Sequence, residues 1–281
     1  MIVETHDVQA YILQDRKYYN PWTKRLDSLA RLIRSETKQL AAADALVHLS
    51  VEDHDFFAAR LPNKPQVLAM PTLDHVLATK PVRSAPVDPI DLLFIGTAHV
   101  ANLLAIEWLF TAVWPHIANM DLRLTVVGSI DELVRFELPH IYTAFRNCFV
   151  GPVVDVAPYY RVARCVIAPM VSGRGISIKT IEAMAFGKPF VGTTKAFRGM
   201  PMDTISAAGV RPCDDARAFA EAISAVLRTE TDEGPRNRVL YERLFSQDTY
   251  FRSLDSANQA VGSAVTAQLT TSRSEPEKFD C

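Results

Sequence analysis

The stretch Gly173-Arg-Gly-Ile-Ser-Ile-Lys-Thr-Ile-Glu-Ala-Met-Ala-Phe-Gly-Lys-Pro189 carries the residue types best placed for chemistry in this chain. Gly173 and Gly175 flank Arg174, so the backbone there can turn sharply and approach a ligand closely. A helix that starts after such a loop offers unpaired N–H groups and the positive end of its dipole, a setting that suits phosphate. Lys179 falls in the first turn and adds a cation, and Glu182, three residues on, shares its face. Ile178, Ile181 and Ala185 recur at helical spacing and are expected to face a core. Gly187 fits the position just past the helix end, and Pro189 cannot continue the helix. A loop, a lysine and a carboxylate then converge on one point. The same residues also suit an ordinary loop–helix join with surface charges.

Other chemistry-bearing residues are weaker. His99 lies just past a turn at Gly96 and suits either a ligand contact or a plain loop. Tyr159, Tyr160, Trp108 and Trp114 read as core or domain-contact aromatics rather than ligand-stacking platforms. Asp214-Asp215 before Ala216 reads as a helix N-cap, and Cys165 as a core thiol.

The elements that position the loop form a regular series. A short strand at Ile2-Val3, a helix over about 24–43, a strand at Ala45–Leu49, a capped helix from Ser50 and a strand at Gln66–Met70 come first. Pro81, Pro86 and Pro89 punctuate a polar connector that reads as a linker. From Ile90 strands and helices alternate: strands end at Gly96, Gly128, Gly151, Pro169 and Gly192, and 208–210 is a candidate sixth. An amphipathic helix follows over Asp215–Leu227 and a further helical pattern over about 238–260. Such alternation predicts an α/β fold with a doubly wound parallel sheet, whose ligands bind at the carboxyl ends of the strands. Gly96, Gly128, Gly151 and the 173–175 loop all lie at such ends and should line one crevice.

The chain has 281 residues, 48% hydrophobic and 22% charged, enough for a substantial core and about two domains. Thirty basic against 32 acidic side chains leave a net charge of −2, so nothing demands nucleic acid. Cys148, Cys165, Cys213 and Cys281 lack metal or disulfide spacing and read as buried free thiols. No signal peptide or membrane-length apolar run is present, and a soluble, cytoplasmic protein is expected, with peripheral membrane contact open.

Residues 91–200 resemble the donor-binding half of a GT-B glycosyltransferase of family 4, the glycosyl transferases group 1 type. The carrying stretches are Leu93-Phe-Ile-Gly96 with Asn102, Leu124-Thr-Val-Val-Gly128, and Phe149-Val-Gly-Pro-Val-Val-Asp155 with Pro158-Tyr-Tyr160. Ala168 to Pro189, Val191-Gly-Thr-Thr and Phe197-Arg-Gly199 complete them. Thr5-His6-Asp7 and His48 to Asp53 are similar to pieces of the same family's N-terminal domain.

The resemblance implies a GT-B arrangement: a partial N-terminal, acceptor-side domain and linker over 1–87, a Rossmann-like donor domain over 88–237, a C-terminal helix over 238–261 and a disordered tail over 262–281. It implies retaining transfer from a nucleoside-diphosphate sugar to an unidentified glycan, lipid or small-molecule acceptor, with no obligatory metal and no cofactor. Lys179 would contact the diphosphate, Glu182 the ribose hydroxyls, and Gly96, Gly128 and the loop of Gly173, Arg174, Gly175 and Ile176 would complete the donor site. His6 would match the motif histidine near the sugar and acceptor. Many members carry a Glu-x7-Glu pair, and Arg174 stands where the first glutamate would be, as in a Gly-x-Gly-x-x-x-Lys subgroup. The family's N-terminal domain is longer before the His6 strand, which implies an apolar face or sheet edge that a protein partner would cover. A non-catalytic nucleotide-sugar-binding or partner subunit is the alternative. A dinucleotide-dependent oxidoreductase fits poorly, because no G-x-G-x-x-G follows the first strand of the sheet.

Overall fold

The described residues form two all-parallel sheets. The computed structural model describes residues 1–12, 28–74, 77, 88–229 and 234–273. The first residues of the helix expected over 24–43, and Pro81 and Pro86 of the expected linker, lie outside them. The chain divides into two units, Met1–Pro71 with Asp248–Cys281, and Thr72–Gln247.

In the first unit β1 (Ile2–Thr5), β2 (Ala45–His48) and β3 (Gln66–Leu68) pair in the order β1-β2-β3. β2 is buried throughout because both its faces are covered. On one side Leu46 packs with Val8, Ala10, Ala43 and Phe57, over the helices Leu29–Leu40 and Val51–Ala58. On the other, Val47 and Ala69 pack against Ala257, Tyr250 and Leu254 of the helix Gln247–Arg273. That sheet face is thus covered by the chain's own last helix. Ser50 caps its helix as expected, accepting from the Asp53 N–H at 3.1 Å. The Asp53 carboxylate returns to the Ser50 hydroxyl at 2.7 Å.

In the second unit β4 (Ile90–Ile95), β5 (Leu124–Val127), β6 (Phe149–Gly151), β7 (Ala163–Ala168) and β8 (Phe190–Gly192) form a sheet in the order β6-β5-β4-β7-β8. Helices Val100–Trp108, Ile130–Glu137, Ala157–Val162 and Ile178–Ala185 stand between successive strands. Leu92, Leu93, Phe94, Val126, Val127, Val166 and Ile167 make its buried centre. Strand-by-strand burial without polar alternation is what a parallel sheet covered on both faces produces.

Several elements differ from the sequence reading. The candidate sixth strand at 208–210 is a turn after the helix Met202–Ala207, because Gly209 takes φ +83 and breaks any extended run. The helix from Val100 gives way to a π-helical turn over Leu109–Val113 and a 3-10 turn over Trp114–His116, where Pro115 cannot donate an N–H. The pattern over 238–260 is two helices, Gly234–Phe245 and Gln247–Arg273, parted at Ser246. The second runs to Arg273, into the stretch expected to be a tail, and residues 274–281 lie outside the described ones. Of the cysteines, Cys165 is buried and Cys148 and Cys213 are only half-buried. No helix among the described residues is long and apolar enough to cross a membrane.

Candidate functional site

The order of the five-stranded sheet fixes where a ligand can sit. The chain winds outward from β4 through β5 to β6, then returns to place β7 on the other side of β4. The direction of winding reverses between β4 and β7, and connections leaving that switch point part to open a crevice. Two segments leave it: the turn at Gly96 and the loop that runs from β7 to the helix Ile178–Ala185.

The glycine turns at this end of the sheet are laced together. The Gly96 carbonyl accepts from the Ile130 N–H at 3.2 Å, and the Gly128 N–H donates to the Gly151 carbonyl at 2.8 Å. A Cβ at Gly128, already at φ +112, would stand 2.2 Å from the Gly96 oxygen. Gly128 is a glycine because backbone meets backbone there, which brings the turns after β4, β5 and β6 together as expected.

On the other side of the switch point, Gly173 and Gly175 adopt φ +127 and +63, open to glycine at little cost. Gly175 is buried, Ile176 half-buried and Arg174 exposed. The helix that follows ends as expected: the Gly187 N–H reaches the Met184 carbonyl and the Lys188 N–H the Ala183 carbonyl, both at 2.9 Å, around a left-handed Gly187. Ile181 and Ala185 are buried as expected, but Ile178 is 41% exposed. As the first helical residue it stands at the open end, before the buried stripe begins.

Lys179 is held from β4 and from its neighbours. Its ammonium donates to Asn102 Oδ1, lies 3.5 Å from Met170 Sδ and sits 4.6 Å above the Phe94 ring. Asn102 in turn donates to the Thr97 carbonyl at 2.9 Å, so one amide joins the Gly96 turn to the lysine. Burial, reinforced by the positive charge of Arg198 and opposed by Glu182, brings the Lys179 ammonium down to about 7. Glu182 accepts from the Tyr160 hydroxyl at 2.8 Å, and Tyr160, fully buried, stacks on Phe186 at 4.8 Å. Burial pushes the Glu182 carboxyl up, and the Tyr160 hydrogen bond and Lys179 act against it. Two basic side chains, Lys179 and Arg198, at the glycine loop form a setting for an anion.

Asn102, Tyr160 and Arg198 were not assigned as site residues from the sequence. All three fall within stretches that carry the resemblance, but only the fold brings Asn102 to Lys179, Tyr160 to Glu182 and Arg198 to the glycine loop. His99 caps its helix, accepting from the Ala101 N–H at 3.1 Å, and Asp215 caps Ala216–Arg228 through the Ala218 N–H at 2.9 Å. Trp108 packs edge-on to Phe219, and Trp114 against Phe110 and Phe145. A groove of about 470 Å³ along the helix Ala216–Arg228, lined by His116, Arg217 and Arg228, shares no residue with this site.

His6 belongs to the first unit. It is exposed just past β1, with Nε2 2.8 Å from Glu4, whose other oxygen accepts from the Tyr250 hydroxyl at 2.9 Å. The backbone that follows is pinned by Glu36, which takes the N–H groups of Gln9 and Ala10 at 2.9 and 3.1 Å. Among the described residues no cluster of three or more His, Cys, Asp or Glu side chains has the arrangement of a metal site.

Residues 89–229, half of the chain, match the family model described as glycosyl transferases group 1. No curated protein matches the sequence. Among solved structures, Alr3699/HepE of Anabaena in complex with UDP is similar at TM-score 0.63 and 13% identity, over 95% of this chain and 72% of that one. Sucrose-phosphate synthase of Thermosynechococcus elongatus gives 0.60 and 17%, over 96% and 68%. A glycosyltransferase of Rickettsia africae gives 0.57 and 16%, over 81% and 67%. The α/β architecture with parallel sheets is the GT-B type of these proteins.

Proposed function

The chain belongs to the glycosyl transferases group 1 family, and we propose that it transfers a sugar with retention from a nucleoside-diphosphate sugar to an acceptor, without an obligatory metal ion or cofactor. The observation that carries this reading is Lys179, a half-buried ammonium at the topological switch point beside the glycine loop. In this reading Lys179 contacts the diphosphate, and Gly96 and the Gly173–Gly175 loop approach the phosphates and sugar with backbone amides. Glu182, oriented by Tyr160, takes the ribose hydroxyls. Arg174, at the exposed side of the loop, adds positive charge.

The chemistry follows from the leaving group. As the bond from sugar to diphosphate breaks, negative charge grows on the phosphate oxygens. Preset N–H donors and a cation stabilise that charge where another enzyme would place a metal ion. The amide, ring and thioether around Lys179 hold the ammonium in place before the donor arrives, so little reorganisation remains at the moment of reaction. By the family resemblance His6 would serve the sugar and acceptor, and Glu4 lies 2.8 Å from its ring Nε2.

HepE has been crystallised with UDP and with UDP-glucose, which makes UDP-sugars the first donors to try. The test is turnover of a panel of UDP- and GDP-sugars by the full chain, with and without EDTA, and assignment of the product anomer by NMR. Retained configuration and unchanged rates in EDTA are expected. An inverted product would sink retention, and loss of turnover in EDTA would sink metal independence. Tight nucleotide binding with no turnover of any donor would instead favour a non-catalytic binding subunit.

A further inference from the structure

Arg198 follows β8, and its guanidinium is set against the glycine loop. Its Nε donates to the Arg174 carbonyl oxygen and its Nη1 to the Lys195 carbonyl oxygen, each at 3.1 Å. A Cβ at position 173 would stand 3.0 Å from Cζ and Nε of this group, so the glycine and the planar guanidinium fit one another. The segment that carries Arg198 is itself anchored. Ala196 and Phe197 are buried, and the Ala196 carbonyl accepts from the Thr180 hydroxyl. Asp214 takes the Thr194 N–H at 2.7 Å and its hydroxyl at 2.6 Å. Arg198 therefore reaches from a fixed segment to the loop.

We propose that Arg198 is a positioning residue of the donor site, which braces the Gly173–Gly175 loop against its own segment by donating to the Arg174 and Lys195 carbonyl oxygens, and places a second positive charge beside Lys179. This inference rests on the diphosphate reading of the site. A guanidinium suits the task because its donors are directed in a plane; a lysine there keeps the charge and loses the two-point hold. The groups that face Lys179 are Phe94 from β4, Asn102 from the helix Val100–Trp108, Met170 from the loop after β7, Glu182 on its own helix, and Arg198. Behind Glu182 stands Tyr160. Of these, Arg198 and Glu182 act electrostatically on the ammonium, in opposite directions.

An entering diphosphate favours the charged lysine. Above about pH 7 the free ammonium loses its proton and the bound one keeps it, so binding takes up a proton and affinity falls as pH rises. Arg198 lowers the pH at which that fall begins.

Calorimetric titration with UDP from pH 6 to 9, on the full chain, separates the two contributions. Arg198→Ala is expected to weaken UDP binding about tenfold and to move the fall in affinity to higher pH. Arg198→Lys should weaken binding while leaving the fall near its wild-type pH, since the charge remains and the fork is lost. Thermal melts of both variants separate loss of fold from loss of site. Wild-type affinity with an unmoved pH profile in both variants overturns the inference and leaves the diphosphate reading standing. Failure of the wild-type chain to bind UDP or GDP overturns both.

Discussion

The Lys179 ammonium is held by an amide oxygen, an aromatic ring and a thioether, none of which is charged. Replacing it by alanine removes a charge-assisted contact to any diphosphate, a loss of about 1.5–3 kcal/mol or roughly 10- to 150-fold in UDP affinity, measured by calorimetry. Glu182 is placed by Tyr160. Tyr160→Phe should raise the KM for a UDP-sugar about three- to tenfold with the fold intact, because one hydrogen bond of about 1 kcal/mol is lost and the carboxyl climbs further. An unchanged KM would mean that Glu182 does not touch the donor. Lys179 and Glu182 were legible together because one helical turn separates them, and their spacing is written in the sequence. Asn102 lies 77 residues from Lys179, Tyr160 lies 22 from Glu182, and Arg198 lies 24 from Arg174. Such pairings arise from sheet order, which no local pattern encodes.

Among elements, the turns at the carboxyl ends of the strands place backbone against backbone. Gly128→Ala forces a Cβ to 2.2 Å from the Gly96 oxygen at φ +112. It should cost about 3 kcal/mol or more in urea denaturation, since both strain and clash apply. Gly262 offers the contrast: it lies within the helix Gln247–Arg273 with nothing within 4 Å of a Cβ. Gly262→Ala should stabilise the protein by about 0.5–1 kcal/mol in the same assay. The strands ending in glycine were legible because an apolar run and a turn residue are both local. The false strand at 208–210 had the apolar residues as well, but what decides a strand is a partner to pair with. The last helix was legible as a pattern, while its destination beside β2 and β3 was not, because a stripe of small and apolar residues does not name the surface it covers.

For the molecule as a whole, acid is expected to act through the first unit. His48 is fully buried, with Thr5 and Gln66 each 2.8 Å from a ring nitrogen. Burial lowers its pKa from 6.5 to about 4, against the Gln66 hydrogen bond. Between those values the unfolded chain binds the extra proton, so stability falls as pH drops from 6.5 towards 4, by up to about 3 kcal/mol. Urea midpoints of the full chain at pH 7 and pH 5 measure it, and the difference should shrink in His48→Gln. The first unit is also made of two distant pieces, since Ala257, Tyr250 and Leu254 close the β2–β3 face formed by residues near the N-terminus. On the ribosome, that face has no cover while Thr72–Gln247 is being synthesised, roughly 10–35 s at about 5–20 residues per second. The second unit can fold in that interval, and the first must wait, its apolar strands offered to chaperones until the last helix emerges.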